Sequence, residues 1–172
     1  VMQALADAGQ KVVTTSIMHK PWNGQTYDYF ESMIVWRKTL SGEWKFTFDV
    51  FDKWVEFMMS LGIDKQINCY SMVPWSYSFQ YFDECTNKMQ VVKCKPGESA
   101  YNEMWTAFLT AFAKHLKEKN WFDKTCIAMD ERPMPVMKTV ISLVKGVYKD
   151  FKLALAVLYY EEIEKYLYDY CI

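Results

Sequence analysis

Apolar side chains along this chain switch between a spacing of about two residues and one near 3.6, with glycine and proline at the changes. Residues 2–8 read as the end of a helix with Gly9 as its C-cap. Lys11 to Met18 follows as a first strand, carrying the β-branched Val12, Val13, Thr14 and Thr15. His19-Lys20-Pro21-Trp22-Asn23-Gly24 leaves it as a loop. Within that long connection, Ile34–Lys38 and Glu43–Phe48 flank Ser41-Gly42 as a hairpin. Asp49 is placed to N-cap a helix whose apolar positions are Val50, Phe51, Trp54, Val55, Met58 and Leu61, and Gly62 ends it.

Lys65 to Met72 is the second strand, and the connection from Val73 to Gly97 holds another hairpin around Asn87-Lys88. Ser99 opens a long helix with an apolar stripe of Tyr101, Met104, Trp105, Phe108, Leu109, Phe112 and Leu116. Thr125 to Met129 is the third strand. Val136, Met137, Val140, Ile141, Val144 and Val147 mark the helix after it. Phe151 to Leu158 is a fourth strand whose apolar character suits burial on both faces. Tyr160 to Ile172 is expected to be a final helix, with Ile163, Tyr166, Leu167 and Tyr170 on one side.

A helix followed by four strand–helix units predicts an α/β fold with a parallel sheet and right-handed crossovers. Four strands suit a small open doubly wound sheet, or about half of an eight-stranded TIM-type barrel with hairpin insertions after the first two strands. The chain begins and ends within predicted helices, and both insertions follow strand ends, as in barrel enzymes. Those features favour the half-barrel. No glycine-rich phosphate loop follows the first strand, so nucleotide-binding versions lose support.

The 172 residues make one domain or a piece of one, and 51% apolar content with 17% aromatics provides for a sizeable core. Net charge is −1 with acids and bases interspersed, which argues against nucleic acid or an anionic membrane as the main partner. No apolar run approaches the ~18 residues of a membrane span, and no signal peptide is visible. Because the chain starts at Val1, an upstream part is expected to have been removed. Cys69, Cys85, Cys94, Cys126 and Cys171 lack C-x-x-C pairing and support neither a zinc site nor a disulfide framework. Aromatic residues cluster after strands, as at Trp22, Tyr27 and Tyr29, or Trp75, Tyr77 and Phe79. Rings there can stack on sugar faces or close a barrel mouth.

The candidate chemistry lies in Cys126-Ile127-Ala128-Met129-Asp130-Glu131-Arg132-Pro133. Two adjacent carboxylates end an apolar strand, at the edge where parallel α/β folds bind ligands. Asp83-Glu84 repeats the dipeptide without such surroundings. The same edge would carry His19 and Trp22 from the first strand, Tyr70 and Trp75 from the second, and Tyr159 and Tyr160 from the fourth. Carboxylates ringed by aromatics and hydroxyls suit glycoside hydrolysis, with no cofactor and no metal. Ordinary glycosidases place carboxyls about 5–10 Å apart across the bond, whereas adjacent strand residues point to opposite sides. An adjacent pair therefore suits substrate-assisted hydrolysis, in which a 2-acetamido group is the nucleophile.

Ile67-Asn68-Cys69-Tyr70-Ser71-Met72-Val73-Pro74-Trp75, followed beyond a long helix by Ala128-Met129-Asp130-Glu131-Arg132-Pro133, resembles glycoside hydrolase family 123. The resemblance spans roughly the first strand to the last helix. It implies a β-N-acetylgalactosaminidase with a barrel catalytic domain and substrate-assisted retention of configuration. By carry-over, Asp130 polarises the 2-acetamido group and Glu131 is the general acid/base. Tyr70 is positioned to bond the acetamide oxygen, Trp75 or Trp22 to stack on the sugar, and His19 and Tyr159 join the substrate-binding set by strand-end position. The implied partner is a glycan with a terminal N-acetylhexosamine. The family association is compatible with export, although no segment here shows it. Family members carry an accessory β-sandwich and a full barrel, so residues 1–172 read as a single, partial β/α-barrel catalytic domain. Its open sheet edges predict self-association.

Competing readings assign His19 to a satisfied strand end, His115 to a solvated helix face among lysines, and Glu161, Glu162 and Glu164 to a favourable helix N-terminus. At the level of function, the alternatives are a non-catalytic carbohydrate-binding or assembly module, and an inactive fragment of a larger glycosidase. A third is a glycosidase with separated carboxylates, pairing Glu131 with Asp28 or Asp83.

Overall fold

The structure, a computed structural model, describes residues 1–156 and 159–171. The chain opens with helix α1 (Met2–Asp7), strands β1 (Val12–Ser16), β2 (Val35–Lys38) and β3 (Trp44–Thr47), and helix α2 (Asp49–Ser60). Strands β4 (Gln66–Tyr70), β5 (Ser78–Asp83) and β6 (Lys88–Lys93) precede the long helix α3 (Ser99–Glu118). A short 3-10 turn, Phe122–Lys124, leads into β7 (Thr125–Met129), then α4 (Met134–Val147), β8 (Lys152–Ala156), α5 (Glu161–Glu164) and β9 (Asp169–Cys171).

Strands β1, β4, β7, β8 and β9 form one parallel sheet in that order. A doubly wound sheet would start inside and reverse at a switch point; this one advances steadily, as a barrel does. Its curvature can be read from one contact. Gln66 Nε2 on β4 donates to Asp169 Oδ2 on β9 across 2.6 Å. Three strand spacings separate those strands, about 14 Å in a flat sheet, so the sheet must curl strongly. The fold is a partial β/α barrel.

Alternation along the strands explains its two faces. Val13, Ile67, Ile127, Met129, Leu153 and Leu155 pack outward in the main core with the helices. Cys126, Ala128 and Ala154 form a separate inner cluster with Tyr70 against it. Small inner side chains leave room inside the curl.

The two hairpins join through the parallel β2–β5 pair into a second sheet, ordered β3-β2-β5-β6. Aromatic packing attaches it to α3. Trp36 stacks on Phe108 with centroids 4.6 Å apart and meets Trp105 and Phe46 edge-on. Phe79 packs edge-on against Tyr101 and Trp105. A fully buried ring of this size contributes about 1.5–3 kcal/mol. Buried aromatic donors also hold the strand-end loops: Trp36 Nε1 donates to Ile17 O at 2.8 Å, and Tyr101 Oη to Met72 O at 2.8 Å.

Several local expectations change. The final helix shortens to Glu161–Glu164, and Asp169–Cys171 instead pairs with β8. Edge hydrogen bonding and the Gln66–Asp169 link outweigh the helical spacing there, and tyrosine fits a strand well. The fourth strand spans Lys152–Ala156, with Val157 and Leu158 outside the described residues. Phe48 occupies the N-cap of α2, and Asp49 instead joins Asp52 in its first turn, where negative charge suits the dipole. His115 is not on a solvated face. Its Nε2 lies 2.7 Å from Asp52 Oδ1, and its ring stacks on Phe48 at 4.1 Å, because α2 packs against this end of α3.

Candidate active site

The loop after β1 folds back over the strand end. Ser16 Oγ donates to Glu31 O at 2.6 Å, and Lys20 N to Phe30 O at 2.8 Å. Ile17 N donates to Tyr70 O at 2.6 Å, which ties this loop to β4. Trp22 is thereby set half-buried, edge-on to Phe30 with centroids 5.1 Å apart and tilted over Tyr70 at 5.4 Å.

Asp130 is two residues beyond Ala128 and continues the inner face of β7 past the strand end. Trp22 Nε1 donates to Asp130 Oδ1 at 3.3 Å. The other oxygen, Oδ2, is buried and has no hydrogen-bond partner among the described residues. Burial pushes the Asp130 carboxyl above its ordinary range, while the Trp22 hydrogen bond and the Arg132 charge pull it partly back. Glu131, the next residue, is exposed. The adjacent acids therefore occupy unlike environments, one desolvated and one wet.

Arg132 is 6% exposed, a low value for a guanidinium. Its Nε and Nη2 both donate to Val73 O, at 3.0 and 2.6 Å. Its Cζ lies 4.0 Å from the Trp75 ring centre and 5.4 Å from that of Tyr77. Burial lowers its pKa, with Tyr77 and Asp130 opposing that shift.

The remaining sequence-predicted residues are placed as follows. His19 Nδ1 lies 2.8 Å from Glu31 Oε2. Trp75 is 36% exposed, while Phe79 is core. Tyr159 is exposed beyond β8, where its hydroxyl donates to Glu164 Oε2 at 2.7 Å and is pushed up by that contact. Asp28 is exposed, and Asp83 accepts from Cys85 N at 3.0 Å and Thr86 Oγ1 at 2.9 Å in the β5–β6 turn.

Glu31, Phe30 and the contacts of Arg132 were not anticipated. Nothing in the local pattern marks Glu31 or Phe30, although Arg132 directly follows the acid pair in the sequence. His19, Lys20 and Asn23 face Ser76, Ser78 and Gln80 across a polar recess of about 240 Å³. A larger groove of about 650 Å³ is lined by α4 and α5, not by strand-end loops. Among the described residues, no three metal-ligating side chains gather, and no helix is long and apolar enough to cross a membrane.

Over residues 1–172 the sequence matches the family described as glycoside hydrolase 123, catalytic domain. The chain belongs to glycoside hydrolase family 123. A solved family 123 glycoside hydrolase from Clostridium perfringens, studied for glycolipid glycan hydrolysis, is similar to it with TM-score 0.91 and 36% identity. That similarity covers 98% of this family 123 chain and 32% of the other, so the chain spans about a third of that protein's length. No curated protein matches the sequence.

Proposed function

We propose that this family 123 chain carries the acid pair of a retaining β-N-acetylgalactosaminidase in which the substrate's own 2-acetamido group is the nucleophile. The observation that carries the reading is the Asp130 carboxylate, desolvated and with Oδ2 lacking a partner among the described residues, beside an exposed Glu131. A buried acceptor without a donor is costly. The N–H of a bound acetamide would supply that donor.

In the first step the acetamide carbonyl oxygen attacks the anomeric carbon as the glycosidic bond breaks. Glu131 gives its proton to the leaving oxygen. Asp130 accepts from the amide N–H and balances the positive charge of the resulting oxazolinium. Water then attacks the same carbon, Glu131 takes its proton, and the acetamide is released with configuration retained. Tyr70 would bond the acetamide oxygen. Trp22 and Trp75 would supply ring surface to the sugar, with His19 and Tyr159 at the rim.

Hydrolysis of a chromogenic β-N-acetylgalactosaminide tests this, beside the N-acetylglucosamine epimer and a galactoside lacking the acetamide. The first should turn over and the last should not. Glu131→Gln should lower kcat by roughly 10²–10⁴-fold on a poor leaving group. Equal turnover of the galactoside would sink the acetamide mechanism. Sugar binding that survives with no hydrolysis would make the chain a binding module instead.

A further inference from the structure

We infer that Arg132 is a positioning residue for this reaction, clamping the aromatic loop after β4 onto the acid-bearing turn after β7. The inference rests on the proposed role of Asp130 and Glu131 and adds a part to it.

The geometry is specific to a guanidinium. Two N–H groups converge on the Val73 carbonyl, and the guanidinium carbon lies over the Trp75 ring at 4.0 Å from its centre. Lysine has the charge but neither the planar fork nor the stacking surface. Val73 and Trp75 lie two residues apart in the loop that follows Tyr70, so one side chain fixes both its backbone and its ring. Arg132 itself lies two residues after Asp130. Any slack in the clamp would change the distance between the aromatic wall and the acids.

The energetics argue against simple support. A buried guanidinium is expensive unless an acid pairs with it, and among the described residues no carboxylate forms a salt bridge with it. The charge acts instead at longer range. It favours the ionised form of Asp130, against the burial that disfavours it. The other group acting on Asp130 is the Trp22 indole from the β1 loop; Glu131 is its exposed chain neighbour, and Tyr77 of the β4 loop lies near the guanidinium.

The test is a pair of variants, each followed by pH–rate profiles on the N-acetylgalactosaminide. In Arg132→Gln the lower limb of kcat/KM should move to higher pH, and KM should rise roughly tenfold as the loop loosens. Arg132→Lys should restore the limb toward its original position while KM stays raised, because charge returns without the fork. A support role would scale both profiles down with the limb unmoved, and that outcome overturns the inference. Acrylamide quenching of Trp75 gives a readout without turnover, isolated by difference against Trp75→Phe. Quenching should rise in both Arg132 variants, and unchanged quenching also overturns the clamp. The failure of the underlying reading looks different: Asp130→Asn would then leave activity and its lower limb intact.

Discussion

The indole N–H of Trp22 donates to the carboxylate of Asp130 across 3.3 Å, joining residues that lie 108 positions apart. The bond works against burial by favouring the charged form of that carboxylate. Removing the donor while keeping a ring should therefore raise the pH at which Asp130 ionises. Trp22→Phe is expected to shift the lower limb of kcat/KM upward and to cost roughly tenfold above it, the worth of one hydrogen bond to a charged group. A pH–rate profile checks both, and an unmoved limb would show that this bond does not tune Asp130.

Asp130 also leaves a signature on stability. Its folded-state pKa is raised, with burial as the largest cause. Its contribution to stability is thus fully present below the ordinary carboxylate value and is lost as pH rises through the raised value. Asp130→Asn removes that loss. The variant should have the higher Tm at pH 7, with the difference fading below about pH 3.5. Thermal unfolding at the two pH values decides it, and a lower Tm for the variant at pH 7 would contradict the argument.

Thiol reactivity should follow burial. Burial pushes Cys69 and Cys126 up to about 12 and Cys94 up to about 11, whereas Cys85 is exposed. Only the thiolate attacks an alkylating reagent. At pH 8 the folded protein should be modified at Cys85, with Cys69, Cys94 and Cys126 protected until denaturant is added. Peptide mapping by mass spectrometry reads each site.

The aromatic seam under the second sheet should be the most costly place to make a hole. Trp36 is 3% exposed, lies among Phe46, Trp105 and Phe108, and caps Ile17 O. Trp36→Ala should destabilise by about 3–5 kcal/mol and loosen the loop that carries Trp22. Urea unfolding measures the first effect. Loss of sugar binding at temperatures where the variant is still folded would measure the second.

Much of this architecture is local and therefore legible in the chain. Thr125–Met129 was readable as a strand because five consecutive small or apolar residues suit a position buried on both faces. The stripe of α3 has a 3.6-residue period that no strand can bury, and Ser41-Gly42 and Asn87-Lys88 are short-range turn signals. The acid pair was visible because it interrupts an apolar strand at its carboxyl end. What the sequence by itself determined was thus the order of the main elements as far as β8, the two insertions and the position of Asp130-Glu131.

Tertiary structure alone decided the rest. Asp169–Cys171 became a strand because β8 offered unpaired edge groups, against a local pattern that favoured helix. The two hairpins merged through Arg37 beside Phe82 and Lys38 beside Asp83. Trp22 reached Asp130, and Arg132 reached Val73, across separations of 108 and 59 residues. Such contacts have no period to read. They depend on how far the sheet curls and on which buried polar group lacks a partner, and those quantities exist only once the chain has folded.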